Sequence, residues 1–271
     1  MTQDRYTALI LAGDRGPDDP VATAAGVKRK VLAEVGGQPM LAHVIEAVSA
    51  SQAVGQILIV ANQVEDIRDW ALSSVYAERP DITYFEGAGS PVASVEKVLT
   101  EAEAGLPLLV VGADNPLMRS ADIEAFLAAA EASEGTGILA ALVAESRFRE
   151  RFPTAPRTFI RLGREAYSGC NMFAVKTPDI DSALRFWKKI EGQRKKALRL
   201  VAAFGLWSLV RVLLGWMDLE RAFERVSEVL GVTVRPYLAD NPLLAMDVDA
   251  PAHLAIVDQC LTEKEELASQ L

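Results

Sequence analysis

The residues with the most capacity for chemistry lie near the N-terminus, where glycines and basic side chains follow a short apolar run. Tyr6-Thr7-Ala8-Leu9-Ile10-Leu11-Ala12 leads directly into Gly13-Asp14-Arg15-Gly16, and Lys28-Arg29-Lys30 follows. Gly13 and Gly16 let the backbone curl with its N–H groups facing inward, and Arg15 adds a cation, a combination suited to an anionic ligand. Lys30 brings further positive charge, so one unit offers a phosphate cradle and the cations that go with it. A second candidate is Asp114, which follows the apolar run Leu108-Leu109-Val110-Val111-Gly112. An acid just past the carboxyl end of a parallel strand lies on the ligand side of an open α/β sheet, which makes Asp114 a candidate metal ligand.

Such residues need a sheet to hold them. The run from Tyr6 to Ala12 reads as a parallel strand covered on both faces. Met40 to Val48 shows helical spacing beginning just after Pro39. Further strands are expected at 56–61, 82–85, 107–112, 137–144 and 168–175, and a late one at 232–237. Helices are expected at 64–78, from about 92 to 104, from Ser120 onward and at 218–230. The loop Glu86-Gly87-Ala88-Gly89-Ser90-Pro91 precedes one of these helices, and its free N–H groups suit an approaching base or phosphate. The stretch from Gly13 to Lys30 reads as one long loop, and 145–166, richer in arginine and proline, as loops or a small hairpin. Alternating strands and helices imply a doubly wound α/β protein.

Composition narrows the classes. A chain of 271 residues, half of them hydrophobic, can bury a large core, and 1–271 is expected to form a single domain. A net charge of -9 argues against a nucleic-acid binder, yet leaves room for a small anionic ligand met by local cations. The two cysteines, Cys170 and Cys260, lie far apart without metal-like spacing, as in a reducing cytoplasm. No signal-peptide pattern is visible after Asp4 and Arg5. P-loop and dinucleotide-binding glycine patterns are absent from the sequence.

Leu11-Ala12-Gly13, Arg15, Lys30-Val31-Leu32 and Gly37-Gln38-Pro39-Met40-Leu41, in this order, resemble the opening of the MobA-like nucleotidyltransferase superfamily. That superfamily includes molybdenum-cofactor and sugar-phosphate nucleotidyltransferases. The resemblance implies one Rossmann-like (GT-A type), mostly parallel sheet flanked by helices. It also implies transfer of a nucleotidyl group from a nucleoside triphosphate, CTP or GTP, to a phosphorylated small-molecule or lipid acceptor with release of pyrophosphate. Asp114-Asn115-Pro116 matches the family's Asp-x-Pro motif, whose acid binds the divalent ion, here expected to be magnesium. Ala245-Met246-Asp247-Val248-Asp249-Ala250-Pro251 resembles the family's acidic ending, which implies Asp249 as the other metal ligand with Asp247 as its neighbour. If that stretch is extended, residues i and i+2 share a face and both carboxylates can reach one ion. By the same resemblance, Leu11, Ala12, Gly13, Asp14, Gly16, Gly89, Ser90 and Asp114 contact the nucleotide. Lys30 and Arg15 stabilise the leaving pyrophosphate, and Gly169 with Asn171 face the acceptor. Asp14, where a second glycine is usual, either repels a triphosphate or helps hold its metal.

Residues 178–230 fall outside the motifs and are expected to form a helical insertion. Arg185, Lys188, Lys189, Arg194, Lys195, Lys196 and Arg199 form a basic patch leading into an apolar stretch that ends near Trp216. Arg199 and Arg211 argue against a membrane span. The favoured reading is burial in the protein or in a homodimer contact, with peripheral binding of 185–217 to anionic lipid at the inner face of the membrane as the alternative. Rival functions are a glycosyltransferase that acts on a nucleotide-sugar with Asp247-Val248-Asp249 as its metal motif, and a non-catalytic nucleotide-binding protein recruited to membranes. His43 and His253 are read as structural.

Overall fold

The computed structural model describes residues 5–16, 18–101, 104–180, 182–186 and 216–269. Its centre is an eight-stranded sheet in the order β10-β7-β9-β6-β1-β4-β5, with β8 paired to β9. These strands are β1 (Tyr6–Leu11), β4 (Val54–Ala61), β5 (Ile82–Glu86), β6 (Leu108–Gly112), β7 (Ile138–Ala144), β8 (Ile160–Leu162), β9 (Glu165–Val175) and β10 (Val234–Leu238). β9 runs antiparallel to β6, β7 and β8, whereas β1, β4, β5 and β6 are mutually parallel, as are β7 and β10. A small hairpin of β2 (Glu34–Val35) and β3 (Gln38–Pro39) leads into helix α2 (Met40–Ser49).

The strands are apolar because both faces of the sheet are covered. Successive side chains point to opposite faces. Ala8 and Ile10 of β1 enter one core with Ile57, Ile59, Leu109 and Val111, while Leu9 enters the other with Leu58, Val60, Leu108 and Val110. The first core is closed by α2, α5 (Ser120–Ala132), α6 (Glu145–Arg151) and α8 (Pro251–Ser269), through Ile45, Phe126, Phe148 and Val257. α4 (Pro91–Glu101) and α7 (Leu219–Leu230) cover the second. Burying a side chain of this size contributes about 1.5–3 kcal/mol, so covering both faces fixes the strand order strongly.

Three expectations are corrected. The stretch from Gly13 to Lys30 is not one loop: Pro20–Ala25 forms helix α1, and the Asp19 carboxylate caps it by accepting from the Val21 and Ala22 N–H groups. Asp-Pro at a helix start followed by Gly26 in the left-handed C-terminal position is a signal that the sequence does contain. Helix α6 occupies the start of 145–166, where loops or a small hairpin were expected; its only buried residue is Phe148, so it has little apolar periodicity to reveal it, and the end of the stretch does form a hairpin of β8 with β9. Helix α3 (Val64–Leu72) ends six residues before the expected 78.

Of the expected 178–230 insertion, residues 187–215 lie outside the described residues, and with them most of the basic patch. Its described flanks pack on the second core through Ile180, Ala183, Leu184 and Leu230. Among the described residues, no helix is long and apolar enough to cross a membrane.

Candidate active site

The candidate site forms where β1 and β6 end, beside the middle of the antiparallel β9. Asp114 follows β6 directly, and its carbonyl accepts from the Val248 N–H at 2.8 Å. Asn115, fully buried, donates to the Leu244 carbonyl at 2.7 Å. These two bonds fasten the 244–249 segment beside Asp114, although more than a hundred residues separate them. With Val248 buried, its neighbours Asp247 and Asp249 bring their carboxylates to Asp114. One oxygen from each of the three lies within 4.8 Å of the others. Asp247 and Asp249 thus reach the same place as the spacing predicted, although 246–249 pairs with no strand.

His253 stabilises this arrangement from helix α8. Its Nδ1 lies 3.2 Å from the Asp249 N–H and 3.0 Å from the Asp247 carbonyl. Burial pushes the imidazole below its usual pKa, partly opposed by Asp249, so the neutral ring is favoured. The structural reading of His253 therefore agrees with its contacts.

Charge balance at the cluster comes from two cations. Lys30, in a 3-10 turn spanning Lys30–Leu32, places Nζ 2.7 Å from Asp114 and 3.3 Å from Asp249. Burial alone would push this ammonium down, but the two carboxylates hold it above its usual value. Asp247 pairs with Arg157, whose Nε also donates to the Ser168 hydroxyl at 2.8 Å and whose Nη2 donates to the Gly169 carbonyl at 2.6 Å. Asn171, at a left-handed φ of 50°, donates to Asp247 at 3.3 Å. Three acids against two bases leave one surplus negative charge in an all-oxygen donor set, which fits a hard divalent cation.

Gly112 leaves room for this geometry: a Cβ added there would lie 2.7 Å from Asp114 Oδ1, so a larger residue would make the carboxylate turn away from its present position.

The other sequence candidates are placed as follows. Leu11, Ala12 and Gly13 run off the end of β1, with the Ala12 N–H still bonded to the Val60 carbonyl at 2.8 Å. Arg15 is exposed. Asp14 turns inward, its side chain only 2% exposed; it accepts from the Gly16 N–H at 2.9 Å and the Lys30 N–H at 3.3 Å, and pairs with Arg29 at 3.4 Å. Asp14 therefore organises the loop and lies outside the three-carboxylate group. Of the basic trio, Arg29 turns to Asp14 and Asp66, Lys28 is exposed, and Lys30 alone reaches the cluster. Gly89 has a left-handed φ of 76°, and the Ser90 hydroxyl accepts from the Ala93 N–H at 3.2 Å, capping α4. Arg157 carried no sequence signal. It lies in an irregular loop, ninety residues from its partner Asp247, and no spacing rule joins the two.

Beside the cluster, toward β7 and β9, opens a cavity of about 840 Å³. Arg149, Thr154, Arg157, Thr158 and Ser168 line it, together with Asp247, Asp249 and His253.

Comparison with known proteins follows this geometry. A structure described as a hypothetical transferase from Thermus thermophilus superposes with a TM-score of 0.77 at 25% identity, covering 93% of this chain and all of that one. The CMP:2-keto-3-deoxy-manno-octonic acid synthetase complexed with CTP shares the fold at a TM-score of 0.61 and 15% identity, over 96% of this chain and 100% of its own. The 4-diphosphocytidyl-2C-methyl-D-erythritol synthase of Anaerococcus prevotii does so at 0.58 and 13%, over 96% and 99%. No curated protein matches the sequence. The family model of the MobA-like NTP transferase domain matches residues 8–216, which takes in the loop, Lys30, Asp114 and part of the segment that the motifs set apart, and ends before Asp247. The chain belongs to the MobA-like NTP transferase family.

Proposed function

We propose that the protein is a magnesium-dependent nucleotidyltransferase that moves a nucleotidyl group from a nucleoside triphosphate, CTP or GTP, to a phosphorylated acceptor. The observation that carries this reading is the group Asp114, Asp247 and Asp249, with Lys30 bridging Asp114 and Asp249, beside the glycine loop that follows β1. An acceptor phosphate oxygen attacks the α-phosphorus, the bond from that phosphorus to the bridging oxygen breaks, and pyrophosphate leaves with the electron pair. The nucleophile is already anionic, so the protein needs no general base.

The work left to the chain is positioning and charge. Gly13, Gly16 and the 87–90 loop receive the nucleotide, and Arg15 and Lys30 meet the charge that grows on pyrophosphate. Asp114 and Asp249, with Asp247 beside them, would hold Mg²⁺, which when bound supplies charge neutralisation to the phosphate oxygens. Lys30 is fixed by the acids it neutralises, so its ammonium costs little reorganisation when a phosphate arrives.

Because both acids of Asp247-Val248-Asp249 join the cluster, the second reading is a glycosyltransferase using a nucleotide-sugar. Products separate the two. Purified protein is incubated with each triphosphate, Mg²⁺ and a panel of phosphorylated acceptors. Acceptor-dependent pyrophosphate release with one nucleotide is the expected result; diphosphate release from nucleotide-sugars, with no pyrophosphate from any triphosphate, would replace this function with the second.

A further inference from the structure

Lys30 joins two parts of the candidate site. Its backbone is rooted at the glycine loop: one oxygen of the Asp14 carboxylate accepts from the Gly16 N–H at 2.9 Å and the other from the Lys30 N–H at 3.3 Å. The Ala33 N–H closes the turn on the Lys30 carbonyl at 3.1 Å, and Val31 beside it is buried. The tip of the side chain lies elsewhere. Nζ is 2.7 Å from Asp114 and 3.3 Å from Asp249, the same two acids that would hold the divalent ion. With the backbone pinned, the flexible stem alone can carry the ammonium from these carboxylates to a phosphate on the loop.

The other cation of the cluster is committed to different partners, because Arg157 engages its three nitrogens with Asp247, Ser168 and Gly169. Lys30 is thus the cation seated on Asp114 and Asp249. A carboxylate oxygen bonded to an ammonium at 2.7 Å offers less to a divalent ion, and two cations on one pair of acids repel each other strongly at that range. The charge balance points the same way. With Lys30 in place, three acids and two bases leave one surplus negative charge. A divalent ion added beside Lys30 would turn this into one surplus positive charge, whereas departure of Lys30 brings the cluster to neutrality.

We propose that Lys30 and the divalent ion compete for Asp114 and Asp249, and that Lys30 yields the two carboxylates to the ion as it turns to the triphosphate on the glycine loop. This rests on the nucleotidyltransferase reading and adds how its metal and its nucleotide are coupled. By linkage each ligand tightens the other. Metal binding releases Lys30 to the phosphates, and the phosphates, by drawing Lys30 away, release the acids to the metal. Without triphosphate, Lys30 lowers the apparent metal affinity according to the fraction of the protein in which it holds the acids.

The test uses the full chain with Mg²⁺ and a non-hydrolysable triphosphate analogue. In the unaltered protein, lysine acylation is followed residue by residue by mass spectrometry, with Lys28, 76% exposed, as the internal control. Lys30 should label slowly in metal-free protein, about fivefold or more faster with Mg²⁺ alone, and slowly again once the analogue is added, while Lys28 keeps one rate throughout. Calorimetry supplies the second measurement. Lys30→Met keeps the stem and removes the charge; without nucleotide it should bind Mg²⁺ about tenfold or more tightly than the unaltered protein, and it should lose the gain in Mg²⁺ affinity that the analogue brings. Thermal unfolding checks that this variant is folded, and the labelling arm stands without it. Tighter Mg²⁺ binding in Lys30→Met, with Lys30 labelling in the unaltered protein unmoved by Mg²⁺, would mean that Lys30 acts only through its field, and overturns the exchange. Equal or weaker Mg²⁺ binding in the folded variant also overturns it, as does failure of both proteins to bind Mg²⁺. In each of these cases, acceptor-dependent pyrophosphate release by the unaltered protein leaves the transferase reading standing. Exchange at Lys30 without pyrophosphate release from any triphosphate keeps the competition and removes that reading instead.

Discussion

Arg29 and Lys30 are adjacent, both buried, and serve two acidic regions that behave in opposite ways. Arg29 lies between Asp14 and Asp66, with Lys28 also reaching Asp66, so two acids meet two bases and the remaining valence of Asp14 is filled by backbone N–H groups. Lys30 enters a region where, among the described residues, three acids meet only itself and Arg157. The first region is internally satisfied and holds the loop in shape. The second keeps surplus negative charge, and Asp249 remains 55% exposed. Open valence and exposure, rather than the presence of acids, distinguish a ligand site from a structural clamp.

The largest effect expected from breaking this contrast is at Asp114. Asp114→Asn keeps the shape but removes a charge from the cluster, and turnover should fall by about 10³-fold or more. Calorimetric titration with Mg²⁺ should show a matching loss of affinity, while thermal unfolding confirms that the fold persists. Near-normal pyrophosphate release in this variant would remove Asp114 from the reaction. Next comes Gly112→Ala. The added methyl reaches the flexible end of Asp114 rather than backbone, so the carboxylate swings away at a stability cost of under about 1 kcal/mol. A misaimed ligand should still lower turnover by roughly 10- to 100-fold. Finding stability and activity reduced in proportion would mean that Gly112 serves packing instead.

The first region should respond the other way. Asp14→Ala leaves Arg29 buried with Asp66 alone and frees two backbone N–H groups, for an expected loss of about 2 kcal/mol in unfolding free energy. Its kcat should change by less than about tenfold, with the change concentrated in KM for the triphosphate, because the loop loses shape but the cluster does not. A kcat collapse comparable to that of Asp114→Asn would erase the distinction between the two regions.

How much of this was legible depended on distance along the chain. Leu11-Ala12-Gly13 and Asp114-Asn115-Pro116 are local strand-to-loop patterns, so the sheet and its first carboxylate could be read from short windows. Asp249 could be placed because its ending is a motif; that Asp247 also turns inward depends on Val248 bonding to the Asp114 carbonyl, a tertiary contact. Asp14 could be recognised as unusual but not understood, because its partners Arg29 and Lys30 follow a helix hidden in an apparent loop. Arg149 and Arg157 were invisible as a pair. Only the packing of α6 and β9 brings them to one cavity, and neither periodicity nor spacing encodes that.

The smallest effect concerns the outer acid of the first region. The hydrogen bond from Arg29 holds the Asp66 carboxyl below the usual carboxylate range, with burial opposing it and Lys28 assisting. A carboxyl depressed in the folded state stabilises the protein at pH values above its unfolded pKa, and that contribution disappears as pH falls through the folded value. Asp66→Asn should therefore lower the unfolding free energy slightly near neutral pH, by about 1 kcal/mol or less because the pair is partly exposed. The gap between the two proteins should close as pH falls below the usual carboxylate range. Thermal unfolding at several pH values checks this. A gap that stays constant with pH would mean that Asp66 acts through shape, and that Arg29 depends chiefly on Asp14, which would make the first region tighter than two acids shared between two bases.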